Sequence, residues 1–220
     1  MGALKTGGKY DTSGLIEDQF EPGSGKRVLR NLLGLKRKRD VDEIEAREQV
    51  RALGEFLTTY DQDYQFTSAD ICEMHKVWLG GIYEWAGKYR QVNISKGGFF
   101  FAAAKQIPQL MELFARENLQ VFTPCNFTSD EKVVEALAVI HTELVLIHPF
   151  REGNGRLARM LAILMGLQAG LPPLDFSMIK GNRKQAYFAA VQAGMDMDYE
   201  PMKEIFRSVV RQTSAKAREL

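Results

Sequence analysis

Apolar residues recur along most of this chain at the three-to-four-residue spacing of a helix face. The first such segment covers about residues 41–59, with Ile44, Val50, Leu53, Phe56 and Leu57 predicted to share a face. A second covers about 68–80, entered through Thr67 and carrying Ile71, Met74, Val77 and Trp78. The period then changes. Arg90-Gln91-Val92-Asn93-Ile94-Ser95 alternates polar and apolar, Lys96-Gly97-Gly98 supplies a turn, and Phe99-Phe100-Phe101 follows, which together predict a short β-hairpin. Helical spacing resumes at about 105–119. Thr128, with Glu131 three residues on, predicts a capping box that opens a helix running to Ile147. Pro149 has no N–H and disfavours helical geometry at His148, so the helix ends there. Further helices are predicted from near Asn154 to Gln168, stopped by Gly170 and Pro172-Pro173, and over about 181–194 and 199–217. The expected class is all-α, mostly helical, with one short hairpin.

The amino-terminal stretch differs. Gly2, Gly7, Gly8, Gly14, Gly23, Gly25 and Pro22 make residues 1–25 read as a loose arm. We therefore divide the chain into a partly ordered arm, 1–40, and a domain with carboxy-terminal helices, 41–220. Lys36-Arg37-Lys38-Arg39 is a compact basic run, but Asp40, Asp42, Glu43 and Glu45 follow it at once and neutralise it. With 29 Lys and Arg against 28 Asp and Glu, net charge gives no general reason to expect nucleic acid as a partner. A non-catalytic helical module that binds nucleic acid through the basic run is the competing class. The longest apolar stretches, Ala136–Ile147 and Leu157–Leu167, are interrupted by His141, Thr142, Glu143 and Arg159, so neither reaches the ~18 apolar residues that span a bilayer. The first ten residues lack the apolar region of a secretory signal. Met1-Gly2-Ala3-Leu4-Lys5-Thr6 fits the myristoylation pattern, which fixes too few positions to carry weight. A cytoplasmic setting with no membrane partner is expected. Cys72 and Cys125 cannot build a disulfide scaffold and read as packing residues.

Polarity concentrates where two apolar helices meet. Residues 148–159 read His148-Pro149-Phe150-Arg151-Glu152-Gly153-Asn154-Gly155-Arg156-Leu157-Ala158-Arg159. Such polarity between core helices is costly unless it serves a site. Gly153 and Gly155 let backbone N–H groups approach a ligand, and at a helix start those donors favour an anion. Arg156 and Arg159, three apart, face the same anion. Glu152 beside such a nest suits Mg²⁺, which shares carboxylate and phosphate oxygens. His148, at a helix end, is a candidate general base. Phe150 is expected to point into the core and pin the loop. His141, two turns before His148, reads as a packed helix histidine, and His75 has no evident chemical partner.

These residues resemble the signature of the Fic family, His-x-Phe-x-Asp/Glu-Gly-Asn-Gly/Lys-Arg, at every fixed position from His148 to Arg156, with Arg159 matching the second arginine. The resemblance extends to Tyr83–Arg90 before the hairpin, to the hairpin itself, and to Val28-Leu29-Arg30-Asn31-Leu32-Leu33-Gly34. It implies a Fic fold with a hairpin flap, and a protein adenylyltransferase that moves AMP from ATP to a Ser, Thr or Tyr hydroxyl of a target protein, releasing pyrophosphate. By the same resemblance His148 is the base and Glu152 holds Mg²⁺. Gly153, Asn154 and Gly155 bind phosphate oxygens, and Arg156 and Arg159 clamp the outer phosphates. Family members that transfer phosphate instead carry Lys at the position of Gly155, so Gly155 favours AMP transfer; the alternative is a Fic-type transferase of another nucleotide or of a phosphoryl group. Asn182–Tyr187 resembles the base-side helix, where Tyr187 reads equally as an adenine contact or a core aromatic. The flap, Ile94, Ser95, Lys96, Gly97 and Gly98, is the edge to which a target protein strand would add, with Phe99 and Phe101 as its core anchors. Many Fic proteins are held off by Ser/Thr-x-x-x-Glu-Gly/Asn, whose Glu pairs with the second arginine. Ser13 and Glu17 fit the first five positions, although Asp18 stands where Gly or Asn belongs. Glu17→Gly would then raise auto-modification. The alternative is an inhibitory helix from a separate antitoxin-like partner. Homo-oligomerisation is left open.

Overall fold

A computed structural model describes residues 14–218. Among the described residues, eight α-helices and one two-stranded hairpin carry the chain: α1 Lys38–Thr59, α2 Ser68–Leu79, β1 Ser95–Lys96, β2 Phe99–Phe100, α3 Ile107–Phe114, α4 Gln120–Phe122, α5 Asp130–Ile147, α6 Asn154–Gln168, α7 Asn182–Ala193 and α8 Glu200–Arg218. The mostly helical class with a short hairpin is as expected. A π-helical turn, Ala115–Leu119, joins α3 to α4.

Helix α5 is the centre of the molecule. It is apolar on nearly every side, as a helix enclosed by others must be, with residues from Val133 to Ile147 buried around its circumference. It packs against α6, α8, α3 and α7, while α1 and α2 pack on each other and α1 reaches α6. The α5–α6 connection, residues 148–153, is held inside this frame.

Local chemistry sets several boundaries. Thr67 and Asp70 form a reciprocal capping box at the start of α2. The box expected from Thr128 and Glu131 does not form. Ser129 occupies the N-cap of α5 without a side-chain cap bond, and Glu131 accepts from Arg207 Nε at 3.2 Å on α8. A tertiary ion pair has taken the carboxylate that the local motif would use.

The predicted face of α1 also needs correction. Val41, Glu45, Ala52 and Phe56 are the buried positions, while Val50 is 75% and Leu57 49% exposed. At about 100° per residue, Leu57 lies a quarter-turn beyond Phe56 and Val50 still further from the buried stripe. Lys38 pairs with Asp42, and Arg39 with Glu43 at 2.9 Å, so most of the basic run is neutralised as expected. Glu45 is the exception, since it points inward.

The described part of the amino-terminal arm is docked rather than loose. Ile16–Asp18 form a 3-10 turn, Phe20 bridges to Leu29, and Leu32 N–H donates to Ile82 C=O at 2.8 Å. Gly23 and Gly25, at φ +82° and +64°, supply the reversal that brings residues 19–21 against 28–30. Asn31 secures the next turn, exchanging hydrogen bonds of 2.9 Å with the Leu35 backbone in both directions.

Candidate active site

The α5–α6 connection is shaped by buried bonds. His148 ends α5 at φ +52°, a left-handed conformation rare for a residue with a side chain. Phe150 is fully buried, as expected, and stacks on His75 at 3.9 Å between ring centres. The Asn154 side chain closes the loop on Phe150, accepting from its N–H at 2.8 Å and donating to its C=O at 2.7 Å. The Asn154 side-chain amide is therefore committed to the loop.

Two glycines have different physical reasons. Gly153 sits at φ +87°, and a Cβ there would lie 2.9 Å from the Trp78 ring. Gly155 is unobstructed by protein and lines a cavity, so a side chain there would occupy ligand space. The backbone amides of Asn154 and Gly155 make no hydrogen bond among the described residues; Gly155 lines that cavity, whereas Asn154 is buried and does not. Gly153 N–H is covered by Glu152 Oε1 at 3.0 Å.

The cavity holds about 850 Å³ and draws its lining from the flap, the connection, α6 and α7. His148, Glu152, Gly153, Gly155, Arg156, Arg159 and Tyr187 all line it, together with Lys96, Gly97, Phe99 and Phe101. Ile94, Ser95 and Gly98 belong to the hairpin but not to this lining. The strands pair Ser95 with Phe100 and Lys96 with Phe99, and Gly97 and Gly98 make the turn at positive φ. Phe99 and Phe101 act as anchors: their rings meet edge-on at 5.3 Å, and Phe101 stacks on His148 at 3.7 Å.

The tautomer of His148 follows from geometry. Its Nδ1 lies 3.2 Å from Val145 C=O, which can only accept, so Nδ1 carries the proton and Nε2 keeps its lone pair. Burial, with the nearby Arg90 and Lys96 charges adding, lowers the imidazole pKa to about 4 and keeps the ring neutral near pH 7.

The two arginines are not equivalent. Arg156 Nη1 pairs at 2.6 Å with Glu45, which is 1% exposed, and its guanidinium lies over Trp78 at 4.8 Å. Arg159 has no ion pair among the described residues, and burial lowers its pKa. Tyr187 is buried, with its hydroxyl 2.8 Å from His141 Nε2, so its polar end faces the core while its ring reaches the cavity. Glu17 does not meet Arg159. Its Oε1 accepts from Gln91 N–H at 2.6 Å and its C=O from Arg151 Nε at 2.8 Å, which pins it at the flap root. Ser13 lies outside the described residues.

The Fic/DOC family model matches residues 65–165, which include α2, the flap, α5 and the whole connection. Residues 65–165 are a Fic/DOC family domain. The chain is similar to the protein adenylyltransferase VbhT of Bartonella schoenbuchensis, 32% identical over 167 residues, which cover 74% of this chain and 33% of VbhT. It is also similar to the probable protein adenylyltransferase y4lH of Sinorhizobium fredii, 27% identical over 84% of this chain and 93% of that protein. Among solved structures, BepC of Bartonella tribocorum with bound AMPPNP superposes with a TM-score of 0.67 at 25% identity, covering 84% of this chain and 93% of that one. The chain thus spans about a third of the length of VbhT.

Around the Fic motif, three residues complete the site that pattern reading did not assign. Glu45 also accepts from Tyr83 Oη at 2.6 Å, so one buried carboxylate orients Arg156. His75 accepts from Gly87 N–H at Nδ1 (2.8 Å), which leaves Nε2–H to donate to Glu152 C=O at 3.0 Å. It therefore does have partners, and they hold the connection. Arg90, 1% exposed, donates from Nε to His148 C=O at 2.7 Å. A polar residue in a helix or strand pattern normally signals solvent, and the most distant partners of these three lie 58 to 111 residues away, so only Arg90's place beside the flap hinted at a role.

Proposed function

We propose that this chain transfers AMP from ATP to a Ser, Thr or Tyr hydroxyl of a target protein and releases pyrophosphate. The observation that carries the proposal is a neutral His148 with Nε2 available in the cavity that Gly155 and Arg159 also line. In this scheme Nε2 takes the hydroxyl proton as the oxygen bonds to the α-phosphorus, and the bond to the bridging β-phosphate oxygen breaks. A positioned base of this kind contributes about 10²–10⁴-fold. The amide of Gly155 receives a phosphate oxygen, and Arg159 meets the outer phosphates. Arg156, tied to Glu45, offers a fixed donor array with part of its charge already balanced.

Among the described residues no group of three or more His, Cys, Asp or Glu could hold a metal. Mg²⁺ fits such a site, because it takes one carboxylate and completes its shell with phosphate oxygens and water. Glu152, half exposed at the cavity edge, would hold it, and the ion would neutralise charge on the phosphates. The open space at Gly155 supports AMP transfer, since a lysine there would fill the place of the phosphates. The target segment would add to the free edge of β1, over Ile94–Gly98. An inhibitory carboxylate for Arg159 is assigned to a partner protein, because Glu17 is engaged elsewhere. Use of ATP and two unpaired cysteines suit a cytoplasmic setting, and no helix among the described residues is long and apolar enough to cross a membrane.

The test is incubation of a lysate with α-labelled ATP and Mg²⁺. Label should move to protein with the wild-type chain and not with His148→Ala. Transfer from γ-labelled ATP alone would overturn AMP transfer.

A further inference from the structure

The flap and the base are tied together by one buried side chain. Arg90 donates from Nε to His148 C=O at 2.7 Å, from Nη1 to Val92 C=O at 2.6 Å and from Nη2 to Ala102 C=O at 2.6 Å. Nη2 also lies 3.4 Å from Ile147 C=O, and the Arg90 backbone N–H donates to Pro149 C=O at 2.8 Å. Val92 and Ala102 are the two roots of the hairpin, whose ladder closes between Phe101 N–H and Ile94 C=O at 3.2 Å. A single planar guanidinium therefore meets both ends of the flap and the carbonyl of the residue proposed as base. A planar fork with five fixed donors suits this task, whereas a point charge does not.

A buried cation needs compensation. Part of it comes from the carbonyls at the end of α5, the negative pole of that helix. Burial still lowers the Arg90 pKa to about 10, and Glu17 offsets part of that cost. This carboxylate is buried against the residue following Arg90, accepting from Gln91 N–H at 2.6 Å, and it favours the charged form of Arg90. Its own C=O is held by Arg151 of the motif at 2.8 Å. The amino-terminal segment thus brings a negative charge to the joint between flap and base.

We infer that Arg90, supported by Glu17, is a positioning residue that sets the flap edge and the His148 imidazole in one register, so that a strand docked on the flap arrives with its hydroxyl aligned to Nε2. The inference rests on the AMP-transfer proposal for its functional readout. It also reverses the sign expected of Glu17. As a counter-charge Glu17 supports transfer, whereas as an inhibitory glutamate it would oppose it.

The test compares Arg90→Met, Arg90→Lys and Glu17→Gln with wild type. Four measurements are made: AMP transfer, affinity for Mg²⁺–AMPPNP, melting temperature and amide hydrogen exchange. Arg90→Met should lower transfer roughly 100-fold, the scale of an ångström-sized misplacement of reacting groups. AMPPNP affinity should stay at the wild-type value, and exchange should rise together across residues 92–102 and at His148 and Phe150. Arg90→Lys should fall between, because one ammonium cannot span both flap roots and His148. Glu17→Gln keeps an acceptor for Gln91 but not the charge, and should lower transfer roughly three- to tenfold. The inference is overturned if exchange rises in the flap alone, if transfer falls only in step with AMPPNP affinity and melting temperature, or if Glu17→Gln raises transfer. If wild type moves no label at all, AMP transfer fails as a function, and the exchange data still decide whether Arg90 couples flap and base.

Discussion

Acidification should destabilise this protein through its buried histidines. All three, His75, His141 and His148, are held neutral by burial, with pKa values lowered to about 4, about 3 and about 4. In the unfolded chain each would titrate near 6.5. Between pH 6.5 and about 4 the unfolded state therefore binds more protons, and stability falls as pH falls through that window. A histidine with a native pKa near 4 loses about 2 kcal/mol between pH 7.5 and 5, or about 6 kcal/mol for three. That sum is comparable to the whole stability of an ordinary domain, about 5–15 kcal/mol. Asp175, lowered to about 2 by Lys216 and Ser177, keeps its contribution until pH falls below its unfolded value, so it acts in a separate, lower window. The assay is urea unfolding at pH 7.5, 6.5, 5.5 and 5.0, with imidazole titration by NMR. A free energy of unfolding that is flat from pH 7.5 to 5, or three imidazoles titrating near 6.5, would refute the assignment of these rings as neutral and buried.

The same lowered pKa of His148 bears on catalysis: the acid limb of the transfer rate should fall toward pH 4–5, leaving the rate flat from pH 6 to 8, which a pH–rate profile under stable conditions would check. Glu45→Ala removes the partner of both Arg156 and Tyr83 from the core and should cost about 3 kcal/mol, read as a drop in melting temperature. Gly153→Ala forces a Cβ toward Trp78 at positive φ and should cost about 2 kcal/mol or more, whereas Gly155→Ala should leave the melting temperature unchanged. Gly155→Lys should lower α-label transfer by more than about tenfold without destabilising the fold, because its side chain would take space at the amide nest.

What could be read from residue order alone was whatever is local. His148 to Arg159 is one continuous stretch, so the proposed base, the carboxylate proposed for Mg²⁺, the amides and the two arginines were visible together. Gly97-Gly98 between alternating residues announced the flap, and Pro149 the end of α5. Helix existence followed from periodicity, but burial did not. Val50 and Leu57 are apolar by composition and exposed by position, because the neighbours that bury α1 approach from the side of Val41, Glu45, Ala52 and Phe56.

Tertiary structure decided what long-range partners do with charge. Glu45 and Glu43 are two residues apart in the same acidic cluster, yet Glu43 meets Arg39 in solvent while Glu45 meets Arg156 in the core. Glu17 fits most of an inhibitory pattern, and the docking of residues 14–31 carries it to Gln91 and Arg151 instead of Arg159. His75 and Arg90 became parts of the site only when the chain closed Glu152 and His148 onto them. The physical reason is the same in each case. A backbone pattern is set by neighbours a few residues away, whereas the stability of a buried polar group depends on which distant group the completed fold places within hydrogen-bonding distance.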